Sequence, residues 1–317
     1  MEKLLEVVEP AVAGNPQTGQ RWVCQSLSKI QAAIKTEKAI ELSRETIRGF
    51  LNQVKIRPKR NVKRLHPKPH PERDAQFQYL NSQRAVFQQA GWPTISVDTK
   101  KKELLGNFLN RGTQWCRQAT AVNTHDFASY AAGQAVPYGI YDILQNVGYV
   151  AVGQSADTPE LAVDAIAWWW RHFGQPLYPQ APELLILADG GGSNGYRPRR
   201  WKQQLQLKVA DVFDLAVTVC HYPTGASKWN PIEHRLFSQI SHTWAATPLT
   251  SIEVLLDGLR TTTTTTGLRV EATLIETVYQ KGLSVTDEEM QLLMIEKHDV
   301  CPQWNYTIRP RKSGSNF

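Results

Sequence analysis

The sequence predicts an α/β protein, a mixed sheet covered by helices and preceded by a small helical unit. Three observations lead there. Leu184-Leu185-Ile186-Leu187-Ala188 is an unbroken apolar run of strand length, the pattern of a strand buried on both faces, and Thr94–Val97 and Leu215–Cys220 behave alike. Strands come first along the main part of the chain and then alternate with segments of helical spacing. Ahead of them, a basic and proline-broken stretch sets the N-terminus apart.

The bulk composition bounds the rest. A chain of 317 residues has room for one large domain or two to three small ones, and its 41% apolar content is that of a globular protein. The formal charge of +7 and a pI near 9.2 favour a polyanionic partner. No run of about 18 apolar residues and no signal-peptide pattern occur, so no membrane partner is expected and the expected location is cytoplasmic, at the nucleoid. The four cysteines (Cys24, Cys116, Cys220, Cys301) lie far apart without a C-x-x-C pair, which argues against a zinc site or a disulfide framework. No small-molecule cofactor is expected.

Residues 1–20 give a short helical start (Leu4, Leu5, Val8) and then a loop over Gly14–Gly19. Leu27, Ile30 and Ile34 keep helical spacing; Ser43 reads as an N-cap, with Ile47, Phe50, Leu51 and Val54 forming a second apolar face. With Arg44 and Arg48 on the polar side, this pair suits a helix-turn-helix or winged-helix DNA reader, and it equally suits a plain helical hairpin. Lys55–Arg73 then holds eight Lys or Arg, four prolines and a single acid, Glu72. It reads as an extended linker in which Lys59, Arg60, Lys63 and Arg64 track a phosphate backbone.

Residues 74–91 form one expected helix ending at Gly91. Strands follow at Thr94–Asp98, Glu103–Phe108, around Pro137–Asp142 and at Val147–Gly153. Thr158 caps a helix that runs into Trp168-Trp169-Trp170, read as core packing. Next come the Leu184–Ala188 strand, a basic helix start at Arg197–Lys202 and the Leu215–Cys220 strand; Thr261–Thr266 reads as a β-prone or helix-end segment.

Chemistry is expected at the acids that end these strands. Asp98 ends one, Asp189 ends another just before Gly190-Gly191-Gly192-Ser193-Asn194-Gly195, and Glu233 follows Ser227-Lys228-Trp229-Asn230-Pro231-Ile232 in the first turn of a helix. Two strand-borne Asp and one helix-borne Glu are the carboxylate set of a two-metal phosphoryl-transfer site, in which hard oxygen ligands hold cations about 4 Å apart. Gaps of 91 and 44 positions leave room for the intervening elements to bring the three together. Lys228, Asn230 and Arg235, with His221 and His234 nearby, are candidate contacts to the DNA backbone. Asp142, another strand-end acid, is a lower-ranked alternative.

Several blocks resemble the ISAzo13-type insertion-sequence transposases. They are Ile95–Phe108, Pro137–Asp142, Ala188–Asn194, Val219–Pro223, Ser227–Phe237 and Trp304-Asn305-Tyr306, in order over nearly the whole chain. The resemblance implies a DDE transposase with a ribonuclease-H-like catalytic domain, and it carries the catalytic and metal-binding roles onto Asp98, Asp189 and Glu233. It also implies two Mg²⁺ or Mn²⁺ ions, cleavage of double-stranded DNA at element ends, and strand transfer by a freed 3′-hydroxyl. The expected organisation is a helical DNA-binding unit over 1–55, a basic linker over 56–73 and the catalytic domain over 74–317. Family members ordinarily carry more sequence ahead of this start, so a first DNA-binding helical unit is expected to be missing. Two alternatives stand beside a working transposase: a nuclease of the same fold that cuts without joining, and a truncated, transposition-incompetent DNA-binding remnant. Synapsis of two ends predicts a homo-oligomer on DNA.

Overall fold

The computed structural model describes residues 2–9, 12–14, 21–23, 25–59 and 70–311, and the chain divides into two units, Met1–Leu65 and His66–Phe317. The first contains α1 (Glu2–Val8), β1 (Val12–Gly14), β2 (Arg21–Val23), α2 (Leu27–Lys38) and α3 (Arg44–Gln53). Ser26 and Ser43 cap α2 and α3, each side chain accepting from the amide three residues on. The apolar faces read from the sequence are the buried ones: Ile30 and Ile34 pack with Ile47 and Leu51 against Leu4, Val7 and Val8. Gly14, expected in a loop, instead ends β1, which pairs antiparallel with β2. Strands of three residues carry too few alternations to register as a pattern.

The second unit opens with α4 (Arg73–Ala90), stopped by Gly91 in the left-handed region at φ 68°. Then come β3 (Thr94–Thr99), β4 (Glu103–Leu105), β5 (Gly133–Asp142), β6 (Val147–Gly153) and α5 (Pro159–Trp169). A π-turn at Trp170–Gly174 carries α5 into α6 (Gln175–Leu177), and β7 (Glu183–Ala188) follows. After α7 (Arg199–Leu205) and α8 (Asp211–Phe213) comes β8 (Ala216–His221). A π-turn at Glu233–Phe237 leads into α9 (Ser238–Thr243), followed by α10 (Ile252–Arg260), β9 (Arg269–Ile275), α11 (Asp287–Gln291), β10 (Ile295–Lys297) and β11 (Asn305–Ile308). No described helix is long and apolar enough to cross a membrane.

The sheet has nine strands in the order β10-β11-β8-β7-β3-β5-β6-β9, with β4 beside β5. Strands β3, β7 and β8 run parallel, while β5 is antiparallel to β3 and β6 to β5. This five-strand centre, an antiparallel meander followed by two parallel strands entered through helices, is the ribonuclease-H-like arrangement. The sequence reading of strand Glu103–Phe108 is too long: β4 stops at Leu105, because the Gly106 amide leaves the ladder to bond the Leu249 carbonyl at 2.8 Å.

Two layers of helix cover the sheet. On one face, Ile95, Val97, Ile186 and Ala188 pack against α5 and α7 through the buried Trp169, Trp201 and Leu205. Trp169 and Trp170 are core residues, as their position in an apolar helix suggests. On the other face, α4 covers Leu185 and Leu187, and the helix that starts at Glu233 packs with α10 over Val150 and Val152. That second helix needs bare backbone beneath it. A Cβ on Gly139 would overlap the Phe237 ring and stand 3.0 Å from Ile232 Cδ1.

Candidate active site

Register places the two aspartates. Val97 pairs with Ala188 across parallel β3 and β7, so Asp98 and Asp189, each one residue further on, stand side by side at the strand tips. Adjacent strands lie about 4.8 Å apart, and residues in register share a face. That face is the one covered by α4 and by the Glu233 helix, because Ile95, Val97, Ile186 and Ala188 fill the opposite one. Glu233 comes to the same place from above, on a helix bedded over Gly139, the register partner of Asp98.

Asn230 ties these three parts together. Its Nδ2 donates to Asp189 Oδ1 at 3.0 Å and to the Val97 carbonyl at 3.3 Å, and its Oδ1 accepts from Ser96 Oγ. Ser96 Oγ in turn accepts the Ile232 amide at 3.1 Å. The expected role of Asn230 as a DNA contact is therefore corrected: the residue is fully buried and its amide is spent on these bonds. His221 is likewise fully buried and out of reach of a phosphate. Its Nδ1 meets the Asp189 carbonyl at 3.0 Å and its Nε2 the Tyr306 hydroxyl at 3.2 Å. A carbonyl only accepts, so Nδ1 carries the proton and Nε2 accepts from Tyr306, which itself accepts from Trp201 Nε1 at 2.9 Å. Burial pushes the imidazole down to about 4, which keeps it neutral and fixes this direction.

The acids repel one another in a poorly solvated place. Asp98 is pushed up to about 8, first by burial and then by the charge of Asp189, with smaller contributions from Glu233 and Asp157; the Thr99 amide, donating to Oδ1 at 2.8 Å, works against this. Asp189 is pushed up to about 6 by burial, opposed by the Asn230 bond and reinforced by Glu233. Among the described residues no three His, Cys, Asp or Glu side chains form a ready-made metal cage. The donor chemistry nevertheless fits a hard divalent cation. Asp98 and Asp189 are adjacent carboxylates whose second oxygens accept no hydrogen bond among the described residues, and a cation between them would offset the burial that raises both and the charge of Asp189 that raises Asp98 further.

A fourth carboxylate went unread in the sequence. Asp157, in the turn before α5, accepts from Thr99 Oγ1 at 3.1 Å and lies within electrostatic range of Asp98. Its segment, Ser155-Ala156-Asp157-Thr158-Pro159, reads as an ordinary helix start, and no local signal sets it apart. Asp142 is excluded as a substitute: it is fully buried at the far end of β5 and accepts from Tyr178 Oη, Leu144 N and Gln145 N.

The basic candidates divide. Lys228 and Arg235 are exposed beside the site, Lys228 lying 5.4 Å over the Trp229 ring. Arg44 and Arg48 are exposed on α3, where Arg48 pairs with Glu45 at 2.7 Å. Lys59 is exposed; Arg60, Lys63 and Arg64 lie outside the described residues.

The family model described as the Rhodopirellula transposase DDE domain matches residues 3–310. The chain is also similar to the solved Mos1 transposase paired-end complex with left transposon end, at 14% identity over 72% of this chain and 68% of that one, with a TM-score of 0.44. For the Mos1 mariner paired end complex with Mn the identity is 13%, the coverage 75% and 71%, and the TM-score 0.42. No curated protein matches. Matched over nearly its whole length, the chain belongs to the ISAzo13-type family of DDE transposases.

Proposed function

We propose that the protein cuts double-stranded DNA at the ends of an insertion sequence and joins the freed 3′-hydroxyl to target DNA, using Asp98, Asp189 and Glu233. The observation that carries this reading is the side-by-side placement of Asp98 and Asp189 at parallel strand tips, with Asn230 and Ile232, in the segment that leads into Glu233, bonded to Asp189 and Ser96.

Each part of the chain then has a task. Asp98 and Asp189 would hold Mg²⁺ or Mn²⁺, two ions in all with Glu233. When bound, such ions activate the attacking oxygen and stabilise the leaving one. Asn230 and His221 fix the Asp189 side chain and main chain, so the carboxylate spacing is set before DNA arrives. Lys228 and Arg235 are placed to take flanking phosphates by charge. The unit over 1–55, with Arg44 and Arg48, reads the element end, and the basic linker adds salt-sensitive affinity. Synapsis of two ends makes a homo-oligomer on DNA the working form.

The test is a plasmid assay with Mn²⁺ and linear donor DNA carrying the element ends. Nicked and joined products in the wild type, both absent in Asp98→Asn and Asp189→Asn, are the expected result. Cleavage without joined product would turn the reading to a nuclease. Binding to ends without any cleavage would turn it to a DNA-binding remnant.

A further inference from the structure

Beside Asp189, the glycine-rich turn and the Pro223–Ser227 turn enclose a cavity of about 510 Å³. Such a volume suits one ligand of nucleotide size and cannot take a stack of base pairs. Apart from Asp189, Arg197 is its only charged lining residue, and Thr224 and Ser227 add hydroxyls. Arg197 Nε is anchored on Tyr196 Oη at 3.0 Å and its guanidinium lies 5.3 Å over the Tyr196 ring, which leaves the terminal nitrogens without a hydrogen-bond partner among the described residues.

The glycines of this wall are not all explained by the fold. A Cβ on Gly190 would stand 3.0 Å from the Tyr222 carbonyl, and one on Gly195 would stand 3.0 Å from Gly191 backbone, so both are needed for close approach. Gly191 is different: it has no left-handed φ, and a Cβ there would meet nothing within 4 Å. What its missing side chain leaves open is space at the cavity. Behind the same wall, Asn194 is 1% exposed with neither end of its amide bonded, and its Oδ1 lies 3.9 Å from where a Cβ on Gly192 would stand. A buried amide without a protein partner calls for an ordered water or a ligand group, and Asn194 lies next to the cavity wall without lining the cavity itself.

We infer that this cavity receives one unpaired nucleotide of the DNA strand whose phosphate lies at the acids, an inference that rests on the function proposed above. Bare backbone at Gly191 and Gly192 accommodates the base, and Arg197 takes the adjoining phosphate. Enzymes that act on a base within a duplex hold it out of the stack in a pocket of this kind, and a cavity too small for a base pair asks the same of a strand held at the acids.

The test is photocrosslinking of the full chain, in EDTA, to a single-stranded dT12 with one central 4-thiothymidine. The adduct is expected on the peptides spanning 190–198 or 223–227. Its yield should fall about tenfold in both Gly191→Phe and Arg197→Ala, and be competed by unlabelled dT12 but not by an abasic strand of equal length. Circular dichroism checks both variants, and either one suffices if the other misfolds. Adducts found only elsewhere, equal yields in both variants, equal competition by the abasic strand, or no adduct at all would each overturn the inference. Mn²⁺ binding by the wild type, measured alongside, reads the acids separately: Mn²⁺ bound with no crosslink sinks the cavity alone, and a mapped crosslink with no metal-dependent cleavage sinks the proposed function.

Discussion

Asn230 Nδ2 lies 3.0 Å from Asp189 Oδ1, reaching from the turn before Glu233 to the tip of the neighbouring strand. The bond makes the position of one acid depend on the segment that presents another. Removing it in Asn230→Ala strands Ser96 Oγ and the Val97 carbonyl, a cost of about 1–3 kcal/mol. Calorimetry should show a folded variant with Mn²⁺ affinity reduced on the order of tenfold. Affinity equal to wild type would show that Asn230 supports only the fold.

Gly139 lies opposite Asp98 in the register and directly beneath Phe237. A methyl group there pushes on the helix that carries Glu233, at an overpacking cost of about 1–3 kcal/mol. Gly139→Ala is expected to fold with a lowered Tm and to lose DNA cleavage well beyond any loss of DNA binding. A variant with normal cleavage would mean that the height of this helix does not matter.

The raised Asp98 gives a pH signature. Between its ordinary value of 3.8 and about 8, the native state holds a proton that the unfolded chain has released. Stability from this group is therefore full below about pH 4 and is lost as pH rises toward 8. In EDTA, Asp98→Asn should gain Tm over the wild type progressively from about pH 5 to about pH 8. Parallel curves for the two proteins would show that Asp98 is not desolvated.

The linker prediction rests on charge alone. Each phosphate contact contributes about 0.9 to the slope of log K against log salt. Replacing Lys59, Arg60, Lys63 and Arg64 with Gln should weaken duplex binding and flatten that slope by about 3 to 4. An unchanged slope, read by fluorescence anisotropy across salt concentrations, would remove the linker from the DNA interface.

The strands that carry the acids were legible because they are buried on both faces and so read as continuous apolar runs. Leu184–Ala188 ends one residue short of Asp189, and Gly91 marks the stop of α4 by its left-handed backbone. Less of the C-terminal third was visible. β11 has only four residues, Asn305–Ile308, whose pattern is set by pairing with β8 and not by any alternation of their own. Asn230 was misjudged for a related reason: a polar residue among Lys228, Trp229 and Pro231 looks solvent-facing until the strands beneath it are in place. Asp157 is a tertiary neighbour of Asp98 and 59 positions from it, so only the fold brings the two together.

Mn²⁺ binding measured by calorimetry tests most directly whether Asp98, Asp189 and Glu233 serve one metal site. Wild type, Asp98→Asn, Asp189→Asn and Glu233→Gln would be compared with circular dichroism as the check on folding. A shared site predicts binding in the wild type and at least tenfold weaker binding in both Asp variants, with a smaller loss in Glu233→Gln. Wild-type affinity in all three variants would contradict it, because the acids would then not converge on a metal.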